Sequence, residues 1–375
     1  MLRTPPLFVA LFALVGCFND GGGGAEGTTS EVGTTAGSGP TSGGAGEATV
    51  TTTVTTGPMM VTGDATSAGE TTDGPGTSGG ETGPVVSDCA GEGACFNVIN
   101  RCAVPLWIHA ANPDGALAPD NAVVGPGEVL QLAVPGEWSA GRVNAFWADP
   151  DKAPEAHDKV EVTYIGGVMN YNITYVDYVG LPAEMVAVGP ECVTTEQFDP
   201  KIGCDVAREA LLQGCPDGLR SGDRCLSAGL HCADPVNADS EYCHALDQRI
   251  KDCGAQHPDT CGVAETLNNG TWHVYACAGY FDSQPPNCMP ATPDCHFEGN
   301  KWCAALNRGM LDDPESTDVA AYYQTPPFNT YAKWVHETCP GIYAFAYDDY
   351  PANAGESGFR ACKADRLDIT FCPVG

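Results

Sequence analysis

Basic residues are scarce in this chain: 17 Lys and Arg stand against 48 Asp and Glu in 375 residues. Such an acidic chain has no electrostatic footprint for a nucleic-acid backbone, which excludes nucleic acid as a partner. No CxxC pair occurs and the eight His do not fall at ligand spacing beside the cysteines, so neither a zinc site nor any other metal or cofactor is expected. No Ser/His/Asp or Cys/His arrangement is legible. Long apolar runs are missing too, because the one near the start is too short to span a bilayer. There is no internal repeat.

The first seventeen residues, "MLRTPPLFVALFALVGC", have a basic start, an apolar run and a terminal cysteine, the layout of a secretory signal. The ending Leu14-Val15-Gly16-Cys17 resembles a bacterial lipobox, which implies cleavage before Cys17 and acylation of its thiol. Residues 18 to 87 are dominated by Gly, Thr, Ser and Ala and lack the apolar content to offset their ordering entropy. They read as a tether that holds the globular part on the order of 45 Å from a membrane. The expectation is a monomer in the cell envelope, at the outer membrane or cell surface, touching the membrane through its lipid only.

The remaining 288 residues keep 40 acids against 16 Lys and Arg. A neutral polymer such as a polysaccharide is compatible with that field. Nineteen cysteines, less Cys17, leave an even set of eighteen, which in an exported chain reads as up to nine disulfides.

From Cys95 to Gly189 the texture is that of antiparallel strands: "FNVINR", "PLWIHAAN", "EVLQLAVPG", "RVNAFWA", "KVEVTYIGG" and "NYNITYVDYVGLP", separated by turn signals such as "NPDG" and "GPGE". Residues 192 to 327 are cysteine-rich with short helical patterns, including "DVAREALLQGC" and "SEYCHALDQRIKDC". Such a segment is held by bridges more than by a core. After a short helix at "TYAKWVHETCP", the segments "GIYAFAYDD" and "DRLDITFC" return to strand texture. The architecture implied is all-β: a sandwich of residues 88 to 191 and 328 to 375 with a disulfide-rich, partly helical insertion, and a ligand cleft where the two meet.

Within "VEVTYIGGVMNYNITYVDYVGLP" a two-residue turn at Gly166-Gly167 sets Glu161 opposite Asn172, Thr163 opposite Asn170 and Lys159 opposite Thr174 on one polar face. Val160, Val162, Tyr164, Tyr171, Ile173 and Tyr175 share the other. Asp177 belongs by parity with the apolar face, where an unpaired carboxylate is costly. A break between Thr174 and Asp177 is therefore expected. Glu161 and Asp177 are either an acid/base pair or two solvated charges on the rim of a sheet. Asp177 is about 16 Å of straight strand from Asn172, so only a break lets the pair reach the 6.5 to 9.5 Å of an inverting glycosidase.

Four stretches in order carry a family resemblance. "CFNVINRCAVPLWIHA", "VVGPGEVLQLAVPGEWSAGRVNAFW", "YNITYVDYVGLPAEM" and "CPGIYAFAYDDYP...C...DITFCP" resemble the thaumatin-like proteins over residues 95 to 245 and 327 to 375. The resemblance implies a thaumatin-like antiparallel β-sandwich and five disulfides: Cys102 with Cys372, Cys192 with Cys362, Cys204 with Cys339, Cys215 with Cys225, and Cys232 with Cys243. It leaves residues 246 to 326 uncovered and the pairing of their six cysteines, and of Cys89 and Cys95, open.

The family's acidic cleft carries over as Arg142, Glu161 and Asp177, with two departures: Asn172 and Gly341 stand where the family has Asp. The "NITYVDYVGLP" strand is also similar to bacterial β-1,3-glucanases sharing this sandwich, in which a Glu and an Asp act as acid and base. Asp348 and Asp349 either extend the acidic rim or form a solvated turn. Trp107, Trp138, Trp147, Tyr178, Tyr343, Phe345 and Tyr347 either stack on sugars or fill the core.

The resemblance implies three candidate functions. The first is binding of β-glucan or a similar polysaccharide with weak or no hydrolysis, given the two lost cleft acids. The second is an endo-β-1,3-glucanase using Glu161 and Asp177. The third is an enzyme inhibitor or other protein-binding surface protein working through residues 246 to 326.

Overall fold

The computed structural model describes residues 88–90, 93–195, 198–258, 262, 270–278, 293–351 and 358–374, with backbone alone for 293–299. Cys17, the signal-like segment and the tether lie outside the described residues.

The strands are β1 (Ala94–Asn100), β2 (Leu106–Asn112), β3 (Gly115–Ala116), β4 (Ala122–Val124), β5 (Val129–Val134), β6 (Trp138–Phe146), β7 (His157–Ile165) and β8 (Val168–Thr174). They continue as β9 (Tyr178–Val179), β10 (Ala183–Val188), β11 (Lys201–Gly203), β12 (Arg220–Ser221), β13 (Arg224–Leu226), β14 (Arg360–Lys363) and β15 (Arg366–Phe371). The helices are α1 (Arg208–Gln213), α2 (Ala228–Ala233), α3 (Glu241–Gln256), α4 (Thr271–Tyr275), α5 (Pro293–Arg308) and α6 (Thr330–Thr338).

Among the described residues one sheet runs β11-β10-β15-β1-β5, a second β14-β8-β7-β6-β2-β3 with β4 beside β2, and a small third β12-β13-β9. The fold is thus the thaumatin-like sandwich with a disulfide-rich, partly helical region. Its pairing is antiparallel except at β1 and β15, which run parallel. β11 lies beyond residue 192 yet extends the five-stranded sheet through β10.

The β7–β8 hairpin shows why this sequence forms this sheet. Gly166 and Gly167 adopt φ of 60° and 79°, the left-handed pair a tight two-residue hairpin needs and side-chain-bearing residues resist. The resulting register pairs Glu161 with Asn172, Thr163 with Asn170 and Lys159 with Thr174. Val160, Val162, Tyr171, Ile173 and Tyr175 then enter the core at 2% exposure or less, and Tyr164 packs at its edge. Burying each such side chain stabilises the fold by about 1.5 to 3 kcal/mol. The two deepest tyrosines keep their hydroxyls satisfied: Tyr171 donates to the Pro200 carbonyl at 2.5 Å and Tyr175 to that of Leu181 at 2.8 Å.

Disulfides join Cys102 to Cys372, Cys192 to Cys362, Cys204 to Cys339, Cys215 to Cys225 and Cys232 to Cys243, the five pairs the resemblance implies. Cys89–Cys95 and Cys277–Cys303 are added to them. Cys253 is also disulfide-bonded.

One segment departs from its strand texture. "GIYAFAYDD" makes only a single bridge, Tyr343 to Thr174, and then turns. The turn is fixed by Asp348, whose Oδ2 accepts from the Ala344 amide at 2.8 Å. That local bond competes with continuation of the strand.

Candidate active site

The outer face of the seven-stranded sheet is a grid set by register. One row across β2, β6, β7 and β8 is Ala111, Arg142, Glu161 and Asn172, and the next is His109, Asn144, Lys159 and Thr174. Beyond it lie Trp107, Phe146 and His157. A register shift in β6 between Trp138 and Gly141 precedes Arg142, whose Nε sits 3.4 Å from Glu161 Oε1. Both side chains are about one-fifth exposed, reachable from outside yet shielded enough to strengthen their attraction.

Asp177 reaches the same face by leaving the sheet. β8 ends at Thr174, in the interval where a break is expected, and the chain resumes pairing as β9 at Tyr178. Asp177 Oδ2 then accepts from Lys159 Nζ at 2.9 Å. Lys159 and Glu161 are two residues apart on one face of β7, roughly 7 Å along the strand. The carboxylate that straight geometry would carry far down the sheet is therefore held beside the strand that bears Glu161.

The cysteine-rich region holds this bend. β13 pairs with β9, and Ser227 N donates to the Asp177 carbonyl at 2.8 Å. Cys225, within β13, is bonded to Cys215. From the other side α6 begins at Asn329, whose Oδ1 accepts from the Tyr331 and Ala332 amides. Tyr331, now oriented, donates its hydroxyl to the Tyr175 carbonyl at 2.5 Å.

A buried charge on β7 supports the same bend. Asp158 points to the core side of β7 and is 3% exposed. Its Oδ2 accepts from the Gly180 amide at 2.8 Å and the Leu181 amide at 2.5 Å, closing the chain just after Asp177. Burial pushes its carboxyl up to about 7, against the pull of those two amides and of Arg208. A charged residue at a core parity in "HDKVEV" was the available signal.

Asn172 is buried at 6% exposure, and among the described residues its Oδ1 has no hydrogen-bond partner. Gly341 has φ of 77°, a conformation that opposes any side chain there, an Asp included.

Asp348 does not join the cleft. It is fully buried, 3.0 Å from the Arg308 guanidinium and 2.6 Å from His336 Nε2, because a buried Arg308 needs an anionic partner. Asp349, next to it, keeps much of its surface exposed, yet burial around its carboxyl raises it against a hydrogen bond from Tyr343. The aromatics divide as well. Trp138 and Phe345 are core, whereas Trp107, Trp147, Tyr178, Tyr343 and Tyr347 are partly exposed. Tyr178 lies under the Arg224 guanidinium at 5.0 Å and edge-on to His157.

Taken together, Glu161 on the sheet face and Asp177 in the bend beside it each have a basic partner, and partly exposed aromatic rings lie at one end. Two carboxyls can in general serve as acid and base.

Known proteins share both sequence and fold features with this chain. The family model for β-1,3-glucanase, glycoside hydrolase family 64, matches residues 273–365, including a stretch the thaumatin-like motifs leave uncovered. None of the curated proteins is a match. A β-1,3-glucanase domain from Clostridium beijerinckii superposes with a TM-score of 0.55 at 15% identity, over 76% of this chain and all of its own. A laminaripentaose-producing β-1,3-glucanase in complex with laminaritetraose gives 0.52 at 15% identity, over 75% of this chain and 99% of its own. The fold is the one these glucanases have. A thaumatin-like xylanase inhibitor aligns over 24% of this chain at a TM-score of 0.19 and 14% identity.

Proposed function

We propose that the chain is an endo-β-1,3-glucanase that binds β-1,3-glucan across the outer face of the seven-stranded sheet and hydrolyses it with inversion. Glu161 is the general acid that protonates the leaving glycosidic oxygen. Asp177, the partner of an ammonium, is the base that takes a proton from the attacking water. Arg142 orients Glu161, and the aromatic shelf of Trp107 and Tyr178 receives sugar rings. The observation that carries this reading is the return of Asp177 to Lys159, one pleat repeat along β7 from Glu161. Inversion requires room for a water between the two carboxyls. The partial family match and the shared fold favour hydrolysis over binding alone.

The second reading is a glucan-binding protein without turnover, favoured by the loss of acids at Asn172 and Gly341. Under either reading Cys17 would carry a lipid anchor and the tether would present the sandwich from the envelope.

Reducing-sugar release from laminarin separates the two. Hydrolysis by the wild type, reduced about 10²- to 10⁴-fold in Glu161→Gln and in Asp177→Asn, is expected. The first product should carry the α-anomeric configuration. Release that survives both substitutions would remove the assignment, and laminarin binding without release would leave the second reading.

A further inference from the structure

The bend that delivers Asp177 is gripped by a side chain that no sequence motif marks, Arg208 at the start of α1. A cation at the first position of a helix opposes the helix dipole, and the residue before it, Ala207, supplies no side-chain cap. Local helix chemistry therefore does not account for an arginine at this place. Its contacts lie across the chain: Arg208 Nε donates to the Gly180 carbonyl at 2.7 Å, three residues beyond Asp177.

The peptide joining Gly180 to Leu181 is trans, so its carbonyl and its N–H point to opposite edges. Arg208 takes the carbonyl edge. Asp158 Oδ2 takes the N–H edge at 2.5 Å, together with the Gly180 amide at 2.8 Å. The peptide dipole thus has its negative end on a guanidinium and its positive end on a carboxyl. This plane cannot rotate without giving up a hydrogen bond at each edge.

Trp147 backs the same residue. A Cβ on Gly180 would stand 2.4 Å from its ring, so only glycine admits the indole this closely. The Arg208 guanidinium lies over that ring at 5.5 Å, adding a cation–π contact to the hydrogen bond. Its side chain is 23% exposed, and its Nη2 stands 3.5 Å from Asp223 Oδ2. Cys204, four residues before Arg208, is bonded to Cys339, which anchors the helix that carries the arginine.

We propose that Arg208 is a positioning residue for the hydrolysis: through the Gly180–Leu181 peptide it holds the bend in which Asp177 meets Lys159. This rests on the glucanase reading, in which Asp177 is the base. A displacement of about 1 Å at a catalytic group can cost roughly a hundredfold in rate. Arg208 shares the bend with Asp158, Ser227 and Tyr331, so its loss should cost less, about tenfold.

Steady-state kinetics on laminarin with the full-length chain tests it. Arg208→Met should lower kcat about tenfold with KM changed less than about twofold, and Arg208→Lys, which keeps a donor for the carbonyl, should recover part of the loss. The sharper comparison adds Arg208→Met to Asp177→Asn. A residue that acts through Asp177 has no further effect once that carboxylate is gone, whereas general damage to the fold multiplies with it. Should Arg208→Met fold poorly, Arg208→Lys in the same two backgrounds gives the answer. Equal kcat in wild type and Arg208→Met, or a full tenfold further loss in the Asp177→Asn background, would overturn the proposal and leave the glucanase reading intact. A wild type that releases no sugar from laminarin would remove that reading, and the proposal with it.

Discussion

Lys159 Nζ and Asp177 Oδ2 are 2.9 Å apart across eighteen residues of chain. The lysine side chain is only 15% exposed, so its ammonium has little water to exchange for this contact, and the pair fixes where the Asp177 carboxylate points. Lys159→Met should therefore lower kcat on laminarin about tenfold with a smaller change in KM, and Lys159→Arg should restore part of it. Steady-state kinetics on both variants checks this; equal kcat in all three proteins would show that Asp177 is positioned by the backbone alone.

Asp158 links pH to stability. Its carboxyl is raised from 3.8 to about 7 by burial, so between those values the folded protein keeps a proton that the unfolded chain has released. Its contribution to stability thus falls as pH rises through roughly 4 to 7 and is level above that. Asp158→Asn keeps an oxygen for the Gly180 and Leu181 amides and removes the titration. The variant's melting temperature should vary less with pH over that window and be no lower than wild type at pH 7.5. Parallel melting curves for the two proteins would contradict this.

The adjacent acids Asp348 and Asp349 should behave oppositely. Asp348→Asn leaves the Arg308 guanidinium buried without its anion, a loss of about 3 to 5 kcal/mol and a fall in melting temperature on the order of 10 °C. Asp349→Asn, at an exposed position, should stay within about 0.5 kcal/mol of wild type. Thermal denaturation of the two variants compares them directly.

Cross-links should rank by the chain they close. Cys102–Cys372 spans 270 residues and Cys89–Cys95 only 6. Other bridges shorten the first loop to roughly one hundred residues, which still gives about 4 to 5 kcal/mol against about 2 for the second. Paired Cys→Ser variants, unfolded in guanidinium under non-reducing conditions, should show that order.

Local rules made the hairpin readable. Two glycines and strict alternation set the register of β7 and β8, and the cost of Asp177 at a core parity announced the break after Thr174. The same alternation misread "GIYAFAYDD", because what turns that segment is the bond of the Asp348 carboxylate to the Ala344 amide, which alternation does not register. Lys159 as the partner of Asp177 was equally hidden: it depends on where a non-strand bend delivers a side chain. Asp158 was visible as a charge out of phase, but its partners, the amides of Gly180 and Leu181, emerge only once the bend exists.

The strand that lies between β10 and β1 is β15, which is made long after both of them. Until residues 366–371 are added, one sheet of the sandwich has a vacant middle track, with β10 and β1 unable to meet across it. Loss of that one strand would split a sheet down its centre instead of trimming its border.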